Sequence, residues 1–136
     1  MKPKIYLAGA FPLRQHLRRI RTELQAMGYE VTSRWLDVED RPAMGNTKVW
    51  TEYAHKWGVR DYEDVLVADI VIFDSTVPST SGGTHVELGL ALGRGKKILF
   101  IGERKTVFHY LDQVEVLHDW EDCMKILKDR YKSYSK

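Results

Sequence analysis

Residues 69–74 read Asp-Ile-Val-Ile-Phe-Asp, four large apolar side chains in a row between two carboxylates. A run of this kind offers no face to solvent, which is the pattern of a strand covered on both sides in a parallel sheet. Parallel neighbours must be joined by crossovers, usually helical, so the hexapeptide points to alternating strands and helices. The rest of the sequence fits. Lys4 to Ala8 (ending in Gly9), Tyr29 to Ser33, Lys97 to Gly102 and Val114 to Leu117 read as further strands. Leu13, Leu17, Ile20, Leu24 and Met27 step by four, three, four and three, one stripe of an amphipathic helix that Gly28 stops. A loop, Asp37 to Gly45, precedes a second helix from near Asn46, whose face carries Trp50, Tyr53, Ala54 and Trp57. Gly58 is a candidate kink, after which the period resumes through Asp61, Val65 and Ala68. Thr84 to Gly93 and a segment from about Asp119 supply the last two helices.

The expected architecture is an open α/β sheet of the flavodoxin or Rossmann kind. It has five parallel strands in the order 2-1-3-4-5, helices on both faces, and one domain over residues 1–136. Ligands of such sheets sit beyond the carboxyl ends of the strands, at the switch point between strands one and three.

Composition removes several classes of function. No apolar run approaches the roughly 18–20 residues of a membrane-spanning helix. The first residues, Met1 to Phe11, superficially copy a signal peptide, but Pro12 and arginines interrupt them and a first strand accounts for them better. With 21 basic and 19 acidic side chains the net charge is +2, without the basic excess of a nucleic-acid binder. A lone cysteine, Cys123, allows no intrachain disulfide and fits a reducing cytoplasm; its place on a helical face reads as core. Histidines 16, 55, 85, 109 and 118 include no pair at metal-ligand spacing, so neither a metal nor another cofactor is expected.

Chemistry concentrates on the rim. Ser79-Thr80-Ser81-Gly82-Gly83-Thr84-His85-Val86-Glu87-Leu88-Gly89 follows a buried strand and opens a helix. Free backbone N–H groups and the positive helix end make such a turn an anion site, to which Ser79, Thr80, Ser81 and Thr84 add donors. The spacing of Thr84 and Glu87 is also that of a capping box, in which the glutamate only ties off the helix start. The lysine of a Walker loop is missing. Asp61 extends the stripe of Trp50, Ala54 and Trp57 and puts a carboxylate on a packed face, where it is costly unless paired or functional. Alternatively Gly58 shifts the phase and leaves Asp61 in water beside Glu63 and Asp64. Tyr6 and Gly9 end strand one. Arg14 and Arg18 start the first helix, where they can meet an anion or simply be solvated. Arg34 and Trp35 follow strand two and are candidates for a pocket wall, with the indole stacking on a flat ring.

Tyr6-Leu7-Ala8-Gly9, Asp61 seven residues before Ala68-Asp69, and Gly83-Thr84-His85-Val86-Glu87-Leu88-Gly89 together resemble the nucleoside 2-deoxyribosyltransferase superfamily. The similarity extends from Lys4 to about Leu117 and is most specific in Gly-Thr-His-Val-Glu followed by Gly95-Lys96. It lies nearest the branches that hydrolyse (2'-deoxy)nucleoside 5'-monophosphates. By that resemblance Glu87 matches the glutamate that attacks C1', Asp61 the aspartate that assists the leaving base, and Tyr6 the tyrosine that orients the nucleophile. Ser81 matches a serine on the 5'-phosphate; Gly9, Phe11, Arg14, Gly83 and Thr84 are the further candidates for binding the substrate and its phosphate, and Arg34 and Trp35 for the base pocket. Arg14 stands later than the arginine these hydrolases often place after the strand-one glycine. The C-terminal asparagine and carboxylate of some transferases have no clear counterpart, which favours hydrolysis. The resemblance also implies a homodimer or higher homo-oligomer whose sites are completed by a neighbouring subunit.

Elementary physics agrees with such a site. Breaking an N-glycosidic bond builds positive charge at C1', which a carboxylate stabilises and can bond covalently. Glu87, read as lying in the first helical turn, is expected to stay ionised, and Asp61, on an apolar face, to hold a proton. Two other functions fit the same turn: base exchange between deoxynucleosides, and nucleotide binding without turnover. A phosphoribohydrolase of the cytokinin-activating type also pairs Gly-Gly-Thr with a downstream glutamate, but its arginine-containing signature is not found here.

Overall fold

The computed structural model of the chain describes residues 2–79 and 81–131. Four strands, β1 (Ile5–Gly9), β2 (Ile70–Asp74), β3 (Lys97–Ile101) and β4 (Val114–Leu117), pair in the order 1-2-3-4, all parallel. Both β1 and β2 are buried at every position, as an apolar run with helices on both sides requires. The helices are α1 (Arg14–Ala26), α2 (Thr47–Val67), α3 (Gly83–Gly93) and α4 (Trp120–Arg130). Right-handed crossovers place α2 and α3, which touch, over one face of the sheet. On the other face α1 meets α4, where the His16 ring stands edge-on to Trp120 at 6.2 Å.

The expected five strands in order 2-1-3-4-5 are corrected to four in order 1-2-3-4. Tyr29 to Ser33 makes a single bridge, Ile5 with Val31, outside β1. Ile5 N donates to Glu30 O at 2.9 Å and Thr32 N to Ile5 O at 2.8 Å, and there the ladder stops. Side chains take over: Leu7 N donates to Ser33 Oγ at 2.6 Å, and Trp35 Nε1 donates to Leu7 O at 2.8 Å. The edge of β1 is thus satisfied without a strand, and the chain turns into a short 3-10 helix at Arg34–Asp37.

Two other expectations resolve. α1 buries Leu17, Ile20 and Leu24 of the stripe. α2 runs for 21 residues without a break at Gly58, the candidate kink. Its start is capped by Asn46, whose Oδ1 accepts from Val49 N at 3.3 Å. Cys123 is core, and burial pushes its thiol up to about 12. No helix among the described residues is long and apolar enough to cross a membrane.

The arginines of α1 grip the segment after the 3-10 turn. Arg18 donates from Nε to Leu36 O and from Nη2 to Val38 O at 3.3 Å; Arg14 Nη2 donates to Glu39 O at 2.7 Å. Arg21 pairs with Asp37 at 2.9 Å. These bonds hold residues 34–39 as a fixed wall beside the end of β1.

Candidate active site

Beyond the carboxyl ends of β1 and β2 lies a cleft of about 620 Å³, a size suited to a small organic ligand. Part of its lining comes from the start of α3, with Ser79, Ser81, Gly83 and Thr84, and part is aromatic, with Phe11 and Trp35 and, from α2, Trp50, Tyr53 and Trp57. Asp61 and Glu87 line the same cleft.

Glu87 is held from β1. The Tyr6 hydroxyl, wholly buried, donates to Glu87 Oε2. α3 is capped instead by Gly82, in the left-handed region at φ 79°, with no side-chain cap bond, so the capping-box reading of Thr84 and Glu87 does not apply. Burial pushes Glu87 up to about 8, Asp61's charge adds to the rise, and the Tyr6 bond works against it. Glu87 is therefore not kept ionised by the helix end, as the sequence suggested. It is the fifth residue of α3, in the second turn, where the dipole has faded. The same surroundings, burial first and then the charges of Glu87 and Asp61, raise the Tyr6 phenol well above its ordinary value.

Asp61 stands in the cleft rather than in water, because α2 keeps its phase through Gly58. Its Oδ1 is shielded and has no hydrogen-bond partner. Burial raises it to about 6, Asp64 contributes further, and Arg41 and Arg34 oppose. Asp64, read from sequence as facing solvent, is buried at 5% exposure and paired with Arg34 at 2.9 Å.

The remaining candidates divide. Gly9 and Phe11 line the cleft, and a Cβ on Gly9 would sit tightly against Leu17 Cδ1 at 3.2 Å and Leu13 Cδ1 at 3.3 Å, so packing against these leucines favours glycine there. Trp35 lines the cleft with its ring 6.5 Å from Phe11, while its indole N–H is spent on Leu7 O. Arg14 is outside the lining; it stacks on Phe11 at 4.1 Å and donates to backbone carbonyls. Arg34 is likewise outside the lining, bound to Asp64 and Glu63. Thr80 lies outside the described residues.

Sequence reasoning missed Arg41, which lines the cleft with its guanidinium carbon 4.0 Å from the Phe11 ring centre. It sits in what reads as an ordinary polar loop. No local pattern distinguishes it.

Comparison with known proteins supplies the context. The family model described as nucleoside 2-deoxyribosyltransferase matches residues 5–124. No curated protein matches the chain by sequence. Among solved structures, the CMP N-glycosidase BcmB of Clostridium botulinum is similar at TM-score 0.59 and 20% identity, over 91% of this chain and 97% of that one. The 2-deoxyribosyltransferase of Bacillus psychrosaccharolyticus is similar at TM-score 0.64 and 22% identity, over 96% and 94%. A conserved protein of Enterococcus faecalis is similar at TM-score 0.61 and 16% identity, over 96% and 99%.

Proposed function

Because the chain belongs to the nucleoside 2-deoxyribosyltransferase family, we propose that it cleaves the N-glycosidic bond of a (2'-deoxy)nucleoside 5'-monophosphate, releasing base and sugar phosphate. The observation that carries this reading is that Glu87, tied to Tyr6 instead of to its own backbone, shares one cleft with Asp61 and the start of α3.

A nucleotide has an anionic end, a reacting carbon and a flat base, and the cleft lining offers groups suited to each. The opening turn of α3, where a helix leaves N–H groups to spare, receives the phosphate together with Ser81 and Thr84. The base lies against the aromatic part of the lining, and C1' comes to Glu87. The carboxylate attacks C1', and the bond to the base nitrogen breaks with its electron pair going to the base. The Asp61 proton is transferred to that base. Water then attacks C1' of the glycosyl ester, its proton passes to Asp61, and Glu87 leaves as carboxylate. Tyr6 keeps the attacking carboxylate in one orientation.

With Glu87 raised to about 8 and Asp61 to about 6, Glu87 holds a proton more firmly than Asp61 does at neutral pH. The reactive form has it on Asp61. Positive charge developing at C1' favours that form, since it stabilises an ionised Glu87. No cofactor is needed for these steps.

Incubation with a panel of nucleoside 5'-monophosphates, with free base followed by chromatography, tests the reading. Base release that vanishes in Glu87→Ala supports it; silence across the panel, or full activity in that variant, ends it. Base exchange is the second reading, supported by the family model and by the similar 2-deoxyribosyltransferase structure. A new nucleoside formed when a second base is added identifies it. Binding without any product, unchanged by Asp61→Asn, identifies a nucleotide-binding module instead. The exposed Met44 and Val86 on the cleft lining support a homodimer in which a second copy covers the rim, which sedimentation measures.

A further inference from the structure

Asp64 follows Asp61 by three residues on α2, so the two carboxylates are neighbours on consecutive turns. Among the acidic residues of α2, Asp64 alone is buried. It is held from outside the helix. Arg34 N donates to Oδ2 at 3.0 Å, and Arg34 Nε reaches Oδ1 at 2.9 Å and Oδ2 at 3.2 Å. The backbone is clamped too, since Thr32 Oγ1 donates to Asp64 O at 2.8 Å. Both clamps come from the segment that runs beside β1. The turn carrying Asp61 is therefore fixed relative to the strand that carries Tyr6.

Asp61 itself has no bond at Oδ1. Burial is the first cause of its hold on a proton, and the charges around it adjust that hold: Asp64 on its own helix raises it, while Arg41 from the loop and Arg34 from the 3-10 turn lower it. Glu87 of α3, Tyr6 of β1 and Tyr53 of α2 are the other titratable groups that feel it.

We infer that the Arg34–Asp64 ion pair is a positioning device for Asp61: Arg34 fixes the Asp64 carboxylate one helical turn away, and that fixed charge adjusts the hold of Asp61 on its proton. The kinetic consequence rests on the proposed role of Asp61 as proton donor; the electrostatic relation does not. Arg34, which sequence patterning placed against a base, thus acts on the reaction from behind the cleft wall. The two partners pull in opposite directions. Removing Asp64's charge makes Asp61 release its proton more readily, and removing Arg34's charge makes it hold on.

Carbon-13 NMR of the full chain labelled at aspartate carboxyls reads this directly, with the Asp61 signal identified by its loss in Asp61→Asn. Asp64→Asn is expected to lower the Asp61 midpoint by roughly one pH unit, and Arg34→Gln to raise it by roughly half a unit to one. Arg34→Lys should return part of that rise. The lower limb of the pH–rate profile should move with the midpoint. A midpoint unmoved in both variants, or moved in one common direction, overturns the inference even if melting temperature or rate falls. Should Asp64→Asn fail to fold, the Arg34→Gln rise and its partial reversal by lysine decide alone. Midpoints that move as expected under an unmoved rate profile uphold the ion pair's role and refute Asp61 as the acid.

Discussion

The hydroxyl of Tyr6 donates to Oε2 of Glu87 across 81 positions of sequence, and this bond ties the buried first strand to the carboxylate proposed as nucleophile. It also decides between two chemistries for Glu87. A glutamate that caps its helix has its oxygens committed to backbone, whereas one held by a phenol from below keeps an edge open to the cleft.

Tyr6→Phe should therefore weaken catalysis more than folding. Loss of the bond raises Glu87 further, since that bond is what lowers it, and the ionised share of Glu87 falls at neutral pH. A hydrogen bond to a charged group is worth about 1.5–3 kcal/mol, so kcat/KM should drop about ten- to a hundredfold. The upper limb of the pH–rate profile should move above about 8. An unchanged profile would leave the tyrosine a packing residue.

The carboxylate pair should cost the protein stability as pH rises. Both folded-state values lie above the ordinary carboxylate range, so folding strengthens the hold on these protons. That contribution is complete below about pH 4, the unfolded value. It is lost as pH rises through about 6 for Asp61 and about 8 for Glu87. Glu87→Gln, which cannot ionise, should melt several degrees above wild type at alkaline pH and close to it at about pH 4. Equal shifts at both pH values would contradict the burial of this carboxylate.

Ser81→Ala should distinguish the two parts of the cleft lining. If the start of α3 receives the phosphate, KM for a nucleoside 5'-monophosphate rises by about tenfold, the loss of one hydrogen bond to a charged group, while the bare nucleoside is unaffected. Steady-state kinetics on the matched pair checks this. Equal effects on both would move the phosphate elsewhere.

Much of this was legible in the sequence. The run at 70–73 yields β2 and with it the parallel sheet, and the stripe of 17, 20 and 24 yields the buried face of α1. Asp61 is conspicuous in the sequence as a charge on an apolar stripe, and it lines the cleft. Other features depend on partners far along the chain. Tyr29 to Ser33 has the residues of a strand, yet Ser33 Oγ and Trp35 Nε1 replace the ladder, and no periodicity reveals that substitution. Arginines 14 and 18 looked available to an anion, but the carbonyls they bind are brought there by the turn at residues 34–37. Asp64 looked solvated until Arg34 was placed beside it.

That edge can be tested by itself. Ser33→Ala leaves the buried Leu7 N–H without an acceptor, at a cost of about 1–3 kcal/mol. Urea unfolding should show a lower midpoint with an unchanged slope. A variant as stable as wild type would mean the backbone has closed the ladder in the serine's place.

The central claim is that Glu87 bonds to the sugar. A nucleoside 5'-monophosphate carrying fluorine at C2' slows breakdown of the glycosyl ester, because fluorine destabilises positive charge at C1'. Intact-mass and peptide analysis after brief incubation should show the chain heavier by one fluorinated sugar phosphate. The added mass should lie on the peptide containing Glu87, and Glu87→Ala should carry none. Base release with no adduct, or an adduct on any other residue, would contradict the account.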